Sequence, residues 1–317
     1  MQMPTVTVLI AAYNAAPFLH RAIHSALTQT QPPFEILIVD DASTDDTLAV
    51  AQTLIEADPR IRVISLSENG GPAKARNAGL DEARGDWIAI LDADDAFLPD
   101  RLERLIDIGN DMKVEVVVDN FLWYDAKTNT IGEPGISTSP AVEMIDIYRF
   151  VSKAMPFTNE MDWGLLKPVF RRNFLDDYNL RYPALSRHGE DFLLTLDIFL
   201  AGACFAVSHT PGYLYTHRSS GFSRTKIDYD GMAAHTASLL THDRIRSDEY
   251  LVRLLRKRMY ALRRLSAEYK LCHSLDNRNF EEIFRAMPFD PNYCQAVFRF
   301  GWRRIKKQIK IKIKTAS

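Results

Sequence analysis

Trp87-Ile-Ala-Ile-Leu-Asp-Ala-Asp-Asp95 is the stretch on which the fold turns. Residues 87–91 are apolar without polar alternation, the pattern of a strand covered on both faces, as in a parallel sheet. Three aspartates follow at once, at what would be the carboxyl end of that strand, where open parallel sheets bind their ligands. In an extended segment Asp92 and Asp94 point to the same side, while Asp95 points away or turns with the loop. Two converging carboxylates suit Mg2+ or Mn2+, with water and phosphate oxygens completing the shell. The plainer reading of the same acids is a solvated loop in which Asp94 or Asp95 caps the next helix.

Working outward, apolar runs rich in β-branched residues recur at 6–10, 35–39, 62–66 and 114–118. Helical stretches separate them at 18–29, 44–57, 73–84 and 101–109. Strand and helix in alternation imply an α/β domain with right-handed crossovers and a mostly parallel sheet. Ser43-Thr-Asp-Asp46 reads as a capping box, and Pro99 opens a helix near Asp100. The rhythm breaks near Phe121. Residues 127–140 read as loop or hairpin, a mixed segment runs to Tyr215, and after Met232 the chain is helical, with a long amphipathic stretch over 248–270.

The other strand ends carry polar residues too. Tyr13 and Asn14 follow the first strand, and Asp40-Asp41 the second; one of these two acids is placed to accept hydrogen bonds from a base or ribose. In Asn69-Gly-Gly-Pro-Ala-Lys-Ala-Arg76, Gly70 and Gly71 permit a tight turn and Pro72 starts a helix. Lys74 and Arg76 then lie near its N-terminal end, available to an anionic nucleotide, with an exposed first turn as the plain alternative for Lys74. The turn after the first strand has no glycine, and no GxxxxGK[ST] occurs, so neither standard glycine-loop phosphate site is present.

Composition narrows the class. The chain has 317 residues, 46% hydrophobic and 25% charged, an ordinary globular balance. Its net charge of −2 conceals an acidic body and a tail with eight bases and no acid from Pro291 onward. An acidic body argues against nucleic acid as a partner. Three scattered cysteines without a CxxC pair suggest a reducing compartment. Without a basic n-region at 1–4 or about 18 consecutive apolar residues anywhere, neither a signal peptide nor a membrane span is expected.

Four motifs in order, Val6–Asn14, Ile38–Thr47, Asn69–Gly79 and Leu91–Asp95, resemble the nucleotide-binding half of inverting family 2 glycosyltransferases with the GT-A fold, among them the succinoglycan-type enzymes of bacterial exopolysaccharide assembly. The resemblance implies a Rossmann-like, mostly parallel sheet flanked by helices, with a helical C-terminal region. It divides the chain into a nucleotide-sugar-binding half (1–120), an acceptor-binding half with the catalytic base (121–230), a helical region (231–298) and a basic amphipathic tail (299–317). It implies that Tyr13 and Asp41 contact the base, that Arg76 reaches base or diphosphate, and that Asp94, with Asp92 or Asp95, meets ribose and metal. Ala11 stands where relatives often carry Thr or Pro, so a hydroxyl contact to the nucleotide is lost there.

Beyond residue 120, Glu190-Asp191 matches the family's Glu-Asp motif. Inverting transfer is a direct displacement at the anomeric carbon, so a carboxylate must take the proton of the attacking hydroxyl. The resemblance makes Asp191 that base and gives Glu190 the acceptor to position; helix capping by acids is the bland alternative. His217 and Arg218, in an aromatic-basic-serine segment, are candidates to close over the diphosphate, with a surface turn as the alternative. Trp163 is a candidate platform for an acceptor sugar, although a core position is the commoner fate of an aromatic. Neither QxxRW nor membrane spans are present, so one sugar is expected per encounter; the resemblance to the succinoglycan-type enzymes implies UDP-glucose as its donor and a lipid-linked oligosaccharide as its acceptor. A nucleotidyltransferase is the rival enzyme reading, but it would carry a glycine-rich basic loop after the first strand. A non-catalytic carbohydrate-binding module would show a broken acidic motif. The tail interleaves Trp302, Ile305, Ile309, Ile311 and Ile313 with bases. It is expected to lie on an anionic membrane surface, which would place the protein on the cytoplasmic face of the bacterial membrane.

Overall fold

The computed structural model describes residues 4–139, 141–156, 161–183, 188–217 and 227–276. The chain forms two compact units, Met1–Lys226 and Ile227–Ser317.

In the first unit, β1 (Val6–Ala12), β2 (Glu35–Asp40), β3 (Ile61–Ser65) and β4 (Trp87–Ile90) pair in parallel in the order β3-β2-β1-β4. All residues of β2 and β4 are buried, the outcome the unbroken apolar runs call for. β3 is at the sheet edge and half-buried, which is why Arg62 is tolerated within it. The crossovers are α1 (Ala16–Leu27), α2 (Thr47–Ala57) and α3 (Pro72–Glu82). The α3 helix lies close on β1 because Gly79 has no side chain: a Cβ there would stand 2.1 Å from Leu9 Cδ1.

The capping box is not what starts α2. The Ser43 hydroxyl instead accepts the backbone N–H of Asn14, and Asp45 accepts the N–H of Thr47 at 2.9 Å. Asp45 wins because Thr47 is only two residues away, while Ser43 is drawn across to the end of β1.

The second part of the unit completes the sheet. After the two-residue β5 (Ala96–Phe97) and α4 (Arg101–Asp111) come β6 (Val116–Asp125), β7 (Thr130–Pro134), β8 (Val142–Ile145), α5 (Ile147–Lys153), β9 (Val169–Arg171), α6 (Arg172–Asp177), α7 (Glu190–Leu200) and β10 (Phe205–His217). β9 is antiparallel to both β4 and β6 and lies between them, and β10 runs parallel to β6. Residues assigned to 1–120 and to 121–230 therefore share one sheet.

The second unit holds α8 (Tyr229–Leu239), α9 (Asp243–Arg246) and α10 (Glu249–Asp276). The expected helix over 248–270 is α10. It packs on α8 through Met259, Leu262 and Ala233, with Lys270 paired to Asp230 at 2.6 Å. Among the described residues no helix is long and apolar enough to cross a membrane.

Candidate active site

A cavity of about 700 Å3 opens above the carboxyl ends of β1, β2 and β4 and is closed from the far side by the start of α7 and the end of β10. Tyr13, Asp41, Arg76, Asp92, Asp94, Asp95, Glu190, Asp191 and His217 all line it. The strand-end acids and the Glu-Asp pair, about a hundred residues apart in sequence, face one space.

Its floor is an ion cluster. Arg76, 5% exposed, projects from the second turn of α3 between residues as small as Ala73, Ala75 and Gly79. One guanidinium nitrogen donates to Glu190 Oε1 and Asp191 Oδ1, each at 3.0 Å, and the other donates to Asp92 Oδ1 at 2.9 Å. Beside it stands Lys167, also 5% exposed, whose ammonium lies 2.9 Å from Asp92 Oδ2 and 3.3 Å from Asp191 Oδ2. Sequence reasoning did not single out Lys167. Only its contacts distinguish it from an ordinary lysine before a proline.

The cluster's electrostatics follow from burial set against pairing. Burial opposes charge on Asp92, but Lys167 and Arg76 outweigh it and hold that carboxyl well below the usual carboxylate range. Burial likewise opposes the Lys167 charge, which Asp191 and Asp92 restore, so its pKa is raised. At Glu190 burial and the Asp191 charge outweigh the opposing pull of Arg76 and Lys167 and push it up to about 7. An acid with a raised folded pKa makes the folded state progressively less stable as pH climbs from its ordinary 4.5 towards that value. Thermal melts of the ligand-free protein should therefore fall between pH 5 and 8, and Glu190→Gln should flatten this slope; an unchanged slope would remove Glu190 as its source.

The three aspartates after β4 have different partners. Both oxygens of Asp92 are held by the two cations. Asp95 is 2% exposed, with one oxygen accepting the Tyr213 hydroxyl and the other the Thr216 N–H, both at 2.7 Å. Burial, with the Asp94 and Asp92 charges, raises the Asp95 pKa against those two donors. Asp94 is half-buried on the cavity wall, and its backbone carbonyl accepts from Arg21. Among the described residues no group of three or more His, Cys, Asp or Glu gathers as a metal cage. The donor set suits a divalent ion that takes one hard oxygen from Asp94 and the rest from phosphate and water, the usual Mg2+ arrangement.

Other expected residues take other places. Asp41 accepts the N–H groups of Gly70 and Gly71, one on each oxygen at 2.8 Å, and so fixes the loop that starts α3; Gly71 (φ +84°) adopts a conformation an L side chain would resist. Asn14 takes the N–H of Thr44 on its side chain and ties two loops together rather than lining the cavity. Lys74 is 2.7 Å from Glu68 on the outer surface, also off the cavity. Trp163 is 4% exposed and packs against His209, with Arg149 and Lys153 over its ring; its neighbours Gly164 and Leu165 line the cavity in its stead. Another tryptophan, Trp123 on β6, does line it. Arg218 and the tail lie outside the described residues.

The family model described as Glycosyl transferase family 2 matches residues 7–174. The chain belongs to this family. The family 2 glycosyltransferase is 33% identical over 292 residues to the succinoglycan biosynthesis protein ExoO of Rhizobium meliloti (strain 1021), across 92% of this chain and 83% of that protein. It is 33% identical over 291 residues to ExoU of the same organism, across 90% and 82%. Among solved structures, S. aureus TarS 1–349 in complex with UDP-GlcNAc superposes with a TM-score of 0.64 at 22% identity, covering 80% of this chain and 72% of that one. The GT-A fold read from the four motifs is thus the fold of the chain. Family membership also settles the choice of enzyme class: a glycosyltransferase rather than a nucleotidyltransferase or a non-catalytic module.

Proposed function

We propose that this enzyme moves one hexose, with inversion, from UDP-glucose to a lipid-linked oligosaccharide in exopolysaccharide assembly. The observation that carries the reading is the meeting of Asp191 with Arg76 and the strand-end acids in one cavity. The exopolysaccharide context rests on the succinoglycan relatives, and the uridine diphosphate on TarS having been solved with UDP-GlcNAc. Tyr13 and Asp41 border the base, with Asp41 acting through the Gly70-Gly71 loop it holds. The acceptor hydroxyl gives its proton to Asp191 as its oxygen bonds to the anomeric carbon, and the bond from that carbon to the diphosphate breaks with its electron pair on UDP. Arg76 supplies positive charge where that pair arrives, and His217, on the same cavity, closes over the diphosphate. A divalent ion on Asp94 would add Lewis-acid stabilisation of the same leaving group. Glu190 positions the acceptor.

Calorimetry with UDP and Mn2+, followed by hydrolysis assays over a panel of nucleotide sugars, tests the donor. UDP should bind far more weakly without the metal. Asp94→Ala should lose the metal-dependent part of binding with its melting curve intact, since the residue is only half-buried, at the cavity wall. Wild-type turnover in Asp94→Ala with Mn2+ would end the metal assignment.

Peripheral attachment through residues after Arg299 completes the reading, their seven bases being drawn to anionic lipid at roughly 1 kcal/mol each. The full chain should float with anionic vesicles at low salt and a chain ending at Phe298 should not. Equal flotation of both, or of neither, would refute attachment by the tail.

A further inference from the structure

Five aromatic rings run along one face of the sheet into the cavity. In the parallel pairing of β6 with β10, Phe121 stands beside Tyr213 and Trp123 beside Tyr215; residues two apart share a face, so all four rings lie on one side. Phe97 on β5 adds a fifth, opposite Tyr213. Ring centroids are 5.8 Å apart for Phe97–Tyr213, 5.2 Å for Phe121–Tyr215, 5.1 Å for Phe121–Trp123 and 5.2 Å for Trp123–Tyr215. The inner three are at most 4% exposed; the outer two, Trp123 and Tyr215, line the cavity.

The edge-on contacts of Phe121 with Trp123 (90°) and of Tyr215 with Trp123 (67°) brace the indole from two sides. Met161 and Leu165 add apolar wall to the cavity, and Leu165 is 37% exposed there. The Tyr213 hydroxyl ties the inner rings to the acidic loop, accepting the Asp92 N–H at 3.1 Å and donating to Asp95. Lys167, whose ammonium grips Asp191, lines the same cavity as Tyr215. The cavity is therefore lined by Asp41, Asn69 and Tyr13 in one part and by braced aromatic surface in another, with the ion cluster also on its wall.

A pyranose matches the aromatic part. Its two faces present C–H bonds and its rim presents hydroxyls, so a ring laid on an indole turns a hydroxyl towards carboxylates at the platform's edge. We propose that Trp123 and Tyr215, backed by Phe121 and Tyr213, form the subsite for the terminal pyranose of the acceptor, with its nucleophilic hydroxyl towards Asp191. This rests on the transferase reading above and assigns its second substrate a place.

Saturation-transfer NMR on the full chain with Mg2+ and UDP present, using methyl β-D-glucopyranoside and methyl β-D-galactopyranoside as probes, tests it. In the wild type, saturation should concentrate on ring C–H protons. Trp123→Ala should weaken it by about tenfold, the loss of ~1.4 kcal/mol of contact. Trp123→Phe should keep most of it, and Leu165→Ala, at an exposed position, should weaken it without touching the rings. UDP affinity by calorimetry should be unchanged in all three. Undiminished saturation in Trp123→Ala, or none in the wild type, overturns the proposal. So does loss of UDP binding in a folded Trp123→Ala, which would give the platform to the donor. A wild type that takes up no UDP yet shows Trp123-dependent saturation would overturn the nucleotide reading and leave this one standing.

Discussion

Asp191→Asn is expected to bind UDP-sugar within about twofold of wild type while turnover falls by about 10² to 10⁴, the usual cost of removing a general base. The amide keeps the shape of the carboxylate and an oxygen for Arg76 or Lys167, so the cluster stays assembled, but it cannot accept the acceptor's proton. Calorimetry with UDP and a single-turnover transfer assay separate the two effects. Glu190→Gln is the necessary companion. Transfer retained in Asp191→Asn and lost in Glu190→Gln would move the base to Glu190, whose pKa of about 7 is suited to the task.

Lys167→Met should be strongly destabilising. It leaves Asp92 and Asp191 buried with Arg76 alone paired to them among the described cations, and breaking a buried pair from one side costs about 3–5 kcal/mol. The loss depends on pH with a definite sign. Asp92 is depressed in the folded state, so its pairing contributes stability above the ordinary aspartate value of 3.8 and ceases to do so as pH falls towards its folded value. Urea unfolding at pH 7 should separate wild type from variant widely, and the curves should draw together on acidification below about pH 4. A gap independent of pH would mean that Lys167 acts through packing alone. Its placement has a buried support: the Lys167 carbonyl accepts from Arg101 at 2.6 Å, and Arg101 is clamped by Asp119 at 2.9 Å, both side chains fully enclosed.

How far the sequence reached depended on whether a residue's role was written in local pattern. β1, β2 and β4 were legible because burial on both faces leaves runs without alternation, and Asp92, Asp94 and Asp191 because they follow recognisable breaks in those runs or open a helix. β9 is three residues long and antiparallel, too short for any periodicity to register, and Lys167, just ahead of Pro168 and the strand, went unnoticed for that reason. Trp163 and Trp123 carry similar signals in the sequence; the β6–β10 register, set by pairing between residues some ninety apart, turns Trp123 to the cavity, while packing against His209 under Arg149 and Lys153 encloses Trp163. Asn14 and Lys74 lie within the motifs but serve the loops and the surface, since spacing cannot say which side of a first turn faces a ligand.

The three residues of β9 also bear on how such chains can be recombined. Donor and acceptor specificities look separable on paper, as if exchanging everything after residue 120 between two relatives would mix them at will. But β9 belongs to the later segment and fills the gap between β4 and β6. Lys167, two positions ahead of it, delivers the ammonium that the earlier segment's Asp92 requires. A hybrid with a poorly fitting wedge would open its sheet in the middle and strand a buried charge in the same stroke. Natural exchange should therefore favour crossover points past residue 217, where a whole catalytic unit travels together, and new acceptor preferences should arise by point changes on an inherited frame.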